Sequence, residues 1–322
     1  MSTGSMGLPP GRGVLCSGNI VYDTLACVDA EPRWGACSFA EKIEYHAGGN
    51  GANTSIVLGT IGIPVRILGA VGRDAQGEFV LDALCRAGVD VGVIDRVDAP
   101  TAATVVIVNG AGDRKFLHRT GCSDLLFPEP INFSAAITAG MSHYHLASIF
   151  TLPQLRRHAG VTLERARAAG LVTSLDTNWD PSGRWMEDLA SCLQHLDYIF
   201  MNEDEALMTT GCSGAADAAS RLLQRGVGTA VMKLGARGCA IYTAREEVIC
   251  PAFDVEVKDT TGAGDCFVAG FLAAVLQEAP LGEAGRFANA VAALSVQRVG
   301  GVSGVPPYAA IETWMRSAAL KT

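Results

Sequence analysis

The stretch 259–276, DTTGAGDCFVAGFLAAVL, sets Gly262 and Gly264 directly before Asp265 and an apolar run. Glycines lack Cβ atoms, so main-chain N–H groups beside them can come close to an anion. A helix starting there adds unpaired donors and the positive end of its dipole. Together these make an anion pocket with a carboxylate at its mouth. Phosphoryl transfer to an alcohol needs that pairing. The turn would stabilise charge on the migrating group, and Asp265 would take the hydroxyl proton. The helix end would keep Asp265 ionised, as a positioned weak base. Taken alone, the turn favours a plainer role, a first-turn aspartate worth about 1 kcal/mol as a cap. No Lys-Ser/Thr follows the glycines, so this is no Walker A loop. The glycine spacing and the SGNIVYD that follows the first strand also miss a dinucleotide fingerprint, which counts against a NAD-dependent dehydrogenase.

Other clusters carry less chemistry. His143 and His145 alternate along one strand and share a face, but no third ligand accompanies them, so core or rim histidines are the better reading. The ten cysteines form no CxxC pair, which excludes zinc ribbons and thioredoxin-like motifs. Scattered through apolar segments, they read as reduced thiols of a cytoplasmic protein.

Such residues need a scaffold that brings strand ends and helix starts together, and the chain alternates these segments throughout. GVLCSGNIVYDTLACV reads as a strand, a turn at Gly18-Asn19 and a second strand, and GGNGANTSIVLGTIG as a glycine turn and a helix closed by Gly62. VRILGAVG is a strand, and AQGEFVLDALCRAG a helix ending at Gly88. TAATVVIVN and RKFLHRT make a hairpin around GAGD at 110–113. Further on, SHYHLASI precedes a helix 153–169 and LVTSLDTN a helix near 183–195. DYIFMN leads into helical EDEALMTTG and a helix 214–225, and TAVMKLG into a β pair at 238–257 and helices 265–277 and 282–298. This rhythm predicts an α/β fold with a mostly parallel sheet covered on both faces. Ligands of such sheets sit beyond the carboxyl ends of the strands. Asp176, Asn178, Asn202, Gly235 and the glycine turn after DVEVK all fall there. Two β-rich stretches, 21–46 and 101–120, break the rhythm and read as a small sheet projecting as a lid. A single domain over 1–322 is expected, with 1–12 as a loose tail.

Composition narrows the partners. The chain has 322 residues, 49% of them hydrophobic, and a net charge of −8. No basic patch dominates, which argues against nucleic acid and anionic membrane. The start lacks an apolar signal-peptide core, and the apolar run within 267–276 is too short to span a bilayer.

DTTGAGDCFVAGFL resembles the C-terminal signature of the ribokinase-like carbohydrate kinases, the PfkB family, and HAGGNGANTSIVLGTIG at 46–62 resembles its N-terminal signature. Gly18 and Asp23, NEDE at 202–205, KLGARG at 233–238 and FANAVAALSVQRVGG at 287–301 fall in family order, so the resemblance covers essentially the whole chain after the tail. It implies a ribokinase-like three-layer α/β/α sandwich with a small β-sheet lid, and ATP-dependent phosphorylation of a sugar-like hydroxyl.

By that resemblance Asp265 is the catalytic base, and Gly262, Ala263 and Gly264 form the anion hole. Asp23, Gly48, Gly49 and Asn53 would hold substrate hydroxyls. Short amides and carboxylates suit vicinal diols. Asn202 would border the nucleotide, and Glu205 would order water around Mg²⁺, which keeps several waters and uses few protein carboxylates. An acid-rich helix start explains NEDE equally. Lys233, Gly235 and Gly238 would also border the nucleotide, with Asn289 near the adenine. A strand-to-strand turn and a solvated helix face are the plainer explanations there. Asp259 and Thr261, with carbonyls near 296–301, would bind a monovalent cation such as K⁺. SLDTNWDPSGRW resembles the D-x-N-x-R segment of fructokinase-like and ketodeoxygluconate-kinase-like members, but Asp180 stands where an arginine is common. The expected acceptor is a primary hydroxyl of an unphosphorylated sugar or sugar acid. A nucleoside is an alternative. So is a sugar phosphate, which would need Arg33, Lys42, Lys115 and Arg119 to converge, and so is a sugar sensor without turnover. Hydrophobic residues on the outer face of the lid would pair two subunits as a homodimer.

Overall fold

A computed structural model describes residues 11–110 and 113–321. The strands in chain order are β1 (Gly13–Ser17), β2 (Val21–Val28), β3 (Ala40–Gly48), β4 (Val65–Leu68), β5 (Ala70–Gly72), β6 (Asp95–Val97) and β7 (Ala102–Asn109). Then come β8 (Arg114–Arg119), β9 (Met141–Leu146), β10 (Val172–Asp176), β11 (Tyr198–Asn202), β12 (Thr229–Lys233), β13 (Cys239–Tyr242) and β14 (Glu247–Cys250). Eight of them form one sheet, ordered β14-β13-β12-β11-β10-β9-β1-β4. It is parallel from β12 to β4, and β13 and β14 add an antiparallel edge.

Alternation along β1 shows why helices cover both faces. Val14 and Cys16 join one apolar core, with the helices Asn50–Thr60, Ala263–Leu276 and Leu281–Ser295, while Leu15 joins a second, with Ala159–Ala168 and Ala215–Gln224. The helix Ala263–Leu276 is apolar on nearly every side and is buried accordingly, which fixes the position of its first turn.

The two β-rich stretches form a separate four-stranded sheet, β3-β2-β7-β8, and β5 pairs with β6. Most expected elements are present, but several differ. The helix 153–169 divides into Pro153–Arg156 and Ala159–Ala168, because His158 leaves helical geometry and its Nε2 lies 2.9 Å from the Phe127 carbonyl. The helix near 183–195 shrinks to Met186–Leu189 and a 3₁₀ turn, Leu193–His195. Asp180 holds that segment out of helix: it is buried, clasped by both terminal nitrogens of Arg156 at 2.9 Å, and accepts from the Trp185 amide at 2.7 Å. The β pair ends at Cys250, so DVEVK is not a strand; the amides of Lys258 and Asp259 both bond the Val296 carbonyl instead. The strand β6 and the helix Tyr308–Ser317 were not anticipated. Of the expected tail, residues 1–10 lie outside the described residues, and Arg12 donates to the Leu276 carbonyl at 3.0 Å. Part of the 110–113 turn also lies outside them.

Candidate active site

Three neighbouring parallel strands deliver polar side chains to one edge. Asp176, Asn202 and Lys233 are the last residues of β10, β11 and β12. With Asn50, Glu205 and Asp265 they line a cleft of about 310 Å³. Lys233 Nζ bonds both oxygens of Asp176, at 2.9 and 2.7 Å.

Asp265 stands in the first turn of Ala263–Leu276 and is 5% exposed. Its Oδ1 accepts from Asn50 Nδ2 and its Oδ2 from Asn53 Nδ2, each at 2.8 Å. The two asparagines are spaced i, i+3 on one helix and therefore share a face. Burial pushes the Asp265 carboxyl up to about 6. The Asn53 bond opposes that, Asp176 adds to it, and Asn50 and Lys233 pull it back. Desolvation thus outweighs the expected helix-end effect, and Asp265 is a stronger base than an exposed aspartate while still ionised at pH 7. Asn53, expected beside substrate hydroxyls, also holds this carboxylate.

Gly262 precedes the helix at φ 71°, a left-handed conformation that side chains disfavour. The amide of Ala263 donates to the Thr260 carbonyl at 3.2 Å, whereas those of Gly264 and Asp265 have no acceptor among the described residues. The Gly262 amide likewise has no acceptor among the described residues, so the amides left for an anion are those of Gly262 and Gly264 from the expected set, with that of Asp265 added.

The small sheet builds a polar row of its own through strand register. β2 pairs with β3 and β7, and β7 with β8, which lines up His46, Asp23, Thr104 and His118 across all four strands on one face. A Cβ on Gly48 would lie 1.8 Å from Asp23 Oδ2, so only glycine admits that carboxylate. Burial raises the Asp23 pKa, opposed by the Thr104 hydroxyl and the imidazoles of His118 and His46. Gly49 caps the helix that carries Asn50 and Asn53.

The other expected residues have definite places. Asn202 and Glu205 form a reciprocal capping box: the Asn202 side chain accepts from the Glu205 amide and Glu205 Oε2 from the Asn202 amide, both at 2.8 Å. Burial raises the Glu205 pKa, Lys233 opposes that, and Asp176 adds to it. Lys233 and Gly235 border the cleft and also a second, largely apolar cavity of about 340 Å³, walled by Phe253, Val255, Val257 and Ala292. Gly238 and Asn289 line only that second cavity. Asn289 is not a solvated helix residue; its Nδ2 bonds the carbonyls of Cys250 and Pro251, at 3.0 and 3.1 Å.

Asp259 and Thr261 are both engaged by Arg114, through Nη2 to Oδ1 at 2.7 Å and Nη1 to Oγ1 at 2.6 Å. The lid cations do not converge: Lys42 pairs with Glu44, Lys115 with Glu31, and Arg119 with Gln76 and the Thr101 carbonyl. His143 and His145 are buried core residues, each 2.8 Å from Ser174 Oγ. Among the described residues no cluster of three or more His, Cys, Asp or Glu side chains is arranged to hold a metal ion, and no helix is long and apolar enough to cross a membrane.

Asn50 and Arg114 were missing from the expected site, and Asp176 was placed at a strand end there without a role. The N-x-x-N spacing pointed to Asn50, and the strand-end position to Asp176. Nothing local singles out Arg114.

A model described as pfkB family carbohydrate kinase matches residues 13–307. Fructokinase-2 of Oryza sativa subsp. japonica is 28% identical over 310 residues, covering 91% of this chain and 92% of that protein. The ATP-dependent ribose-1-phosphate kinase of Halopiger xanaduensis is 29% identical over 291 residues, covering 89% and 93%. In structure, the chain is similar to an Arabidopsis thaliana ribokinase complexed with ribose and ATP, at a TM-score of 0.84, 24% identity and coverage of 95% and 99%. It is also similar to an E. coli putative ribokinase II in complex with ATP and Mg²⁺, at 0.82, 24%, and 95% and 99%. These neighbours share its ribokinase-like fold.

Proposed function

We propose that this chain, which belongs to the pfkB family of carbohydrate kinases, moves the γ-phosphoryl group of ATP to a primary hydroxyl of an unphosphorylated sugar or sugar acid, with Asp265 as general base. Membership fixes the class as ATP-dependent phosphorylation of a carbohydrate. One observation carries the residue assignment: a buried, asparagine-held carboxylate lies in the cleft beside amides without acceptors.

The acceptor lies against the lid row, where Asp23 takes two of its hydroxyls. Its reacting hydroxyl meets Asp265, which removes the proton as the new bond forms. The amides of Gly264 and Asp265 receive charge from the phosphoryl oxygens, and Lys233, close to Gly264, adds a fixed positive charge. The apolar cavity suits the flat base of the nucleotide, and the strip shared by the two chambers suits its phosphates. The carboxylates of Glu205 and Asp176 fit Mg²⁺ held largely through water, which when bound would neutralise phosphate charge. The lid closes over the acceptor and excludes water.

Of the four cations named for a substrate phosphate, Lys42, Lys115 and Arg119 are paired with other groups, which disfavours a sugar-phosphate acceptor. The outer face of the lid exposes Ile43, Tyr45, Val105 and Leu117, and a second copy covers this patch in a homodimer. Ten free thiols support a cytoplasmic location. The reading is tested by ADP release over a panel of sugars, sugar acids, nucleosides and sugar phosphates. Turnover with sugars, lost in Asp265→Asn while ATP still binds, supports it. Unchanged turnover in that variant refutes the role of Asp265.

A further inference from the structure

Resting on that kinase reading, the contact between Arg114 and the segment before the glycine turn carries one more inference. Arg114 is the first residue of β8 in the lid. It shares a face with His118, four residues on along the same strand. Its guanidinium reaches across to Asp259 Oδ1 and Thr261 Oγ1, at 2.7 and 2.6 Å. Thr261 directly precedes Gly262, so these bonds fasten the segment that leads into the turn.

The same segment is where a monovalent cation was expected, and the two side chains named for it, with the Val296 carbonyl, already accept hydrogen bonds. Asp259 Oδ1 also accepts from the Thr261 amide at 2.7 Å, and its Oδ2 from the Gly300 amide at 3.0 Å. The Val296 carbonyl accepts from the amides of Lys258 and Asp259, at 2.8 and 3.1 Å. Asp259 is 6% exposed, so its charge needs a counterion within bonding distance. The guanidinium is that counterion. Its planar fork meets the carboxylate and the hydroxyl together.

We propose that Arg114 occupies the role of a monovalent cation beneath the phosphoryl-binding turn, so that the enzyme works without one and the lid is tied directly to the turn. Arg114 is a positioning residue that acts through Asp259 and Thr261. A dissociable ion would respond only to its concentration in solution. An arginine carried by the lid responds to the place of the lid, so acceptor-driven closure and the shape of the turn change together.

The test compares wild type, Arg114→Lys and Arg114→Ala in buffers whose only monovalent cation is either tetramethylammonium or K⁺. Turnover, ATP affinity by calorimetry and thermal melting are measured in each. Wild type should give the same kcat and melting temperature in both. Arg114→Ala should lose about 10- to 100-fold in kcat in tetramethylammonium, the loss expected for a charged hydrogen bond. K⁺ or millimolar guanidinium should restore part of it and raise the melting temperature of that variant only. Arg114→Lys should fall between the two. Clear K⁺ activation of wild type, or a rise in its melting temperature with K⁺, overturns the inference. So does an Arg114→Ala variant that matches wild type in tetramethylammonium. If Arg114→Ala does not fold, the wild-type and Arg114→Lys arms still decide. If wild type turns over no acceptor, the kinase reading fails, and the melting arm judges the cation inference by itself.

Discussion

Asn53 and Asp265 lie 212 positions apart in the chain and share a 2.8 Å hydrogen bond. One belongs to the first glycine-rich stretch and the other to the last, and the bond joins the two at the carboxylate proposed as the base. Asn53→Ala removes a donor that holds the Asp265 pKa down. The acid limb of the kcat/KM profile should therefore move to higher pH by about one unit, the worth of one such bond. A profile measured from pH 5 to 8 checks this, and an unmoved limb argues against the contact.

Asp265 should also make stability depend on pH. An acid whose pKa rises on folding, here from 3.8 to about 6, favours the folded state when protonated. That contribution is complete below the unfolded value and fades as pH climbs through about 6. Asp265→Asn carries no charge at any pH. Its stability relative to wild type should thus improve between pH 4 and 7 by about 3 kcal/mol, while turnover is lost. Urea unfolding at several pH values measures the difference between the two proteins.

Lys233→Met should be costly for folding. It strands the buried Asp176 carboxylate, and breaking a buried pair from one side costs about 3–5 kcal/mol. Adding Asp176→Leu should recover much of the melting temperature and none of the activity. Calorimetric scans of the single and double variants distinguish this from general disruption.

Gly48→Ala places a methyl group 1.8 Å from Asp23 Oδ2 and must displace that carboxylate. The KM for the acceptor should rise more than about tenfold, the cost of losing a buried charged hydrogen bond, with the KM for ATP unchanged. Initial-rate kinetics with each substrate varied in turn separate these outcomes.

Leu117→Glu sets a charge in the exposed patch of the lid, beside Val105 and on the sheet face that carries Tyr45 at the opposite edge. Sedimentation velocity should show a dimer for wild type and a monomer for the variant.

Much of this was legible from residue types and local spacing. The carboxylate at the mouth of a glycine turn, the strand-end positions of Asp176 and Asn202 and the separate lid sheet all follow from periodicity and helix-start chemistry. The rest depends on contacts between distant segments. The bond from Asn53 to Asp265 was not visible, because its partner is brought to it only by the fold. Arg114 sits in an ordinary exposed-looking strand, and its role emerges only when β8 lies against residues 259–261. Asp180 stood out as a departure from the expected arginine. It proves to be a buried anchor for Arg156 and the Trp185 amide, which also explains the helix that did not form. The rise in the Asp265 pKa is a matter of burial, which local sequence does not report.

The line His46–Asp23–Thr104–His118 runs across the lid strands at right angles to the backbone. No two of its members are close neighbours in sequence. A one-position slip of β2 against its partners would turn Asp23 outward to solvent while leaving every glycine motif intact. Preference among sugars can therefore diverge between relatives whose signature segments are identical, and comparison of aligned strand partners is what separates them.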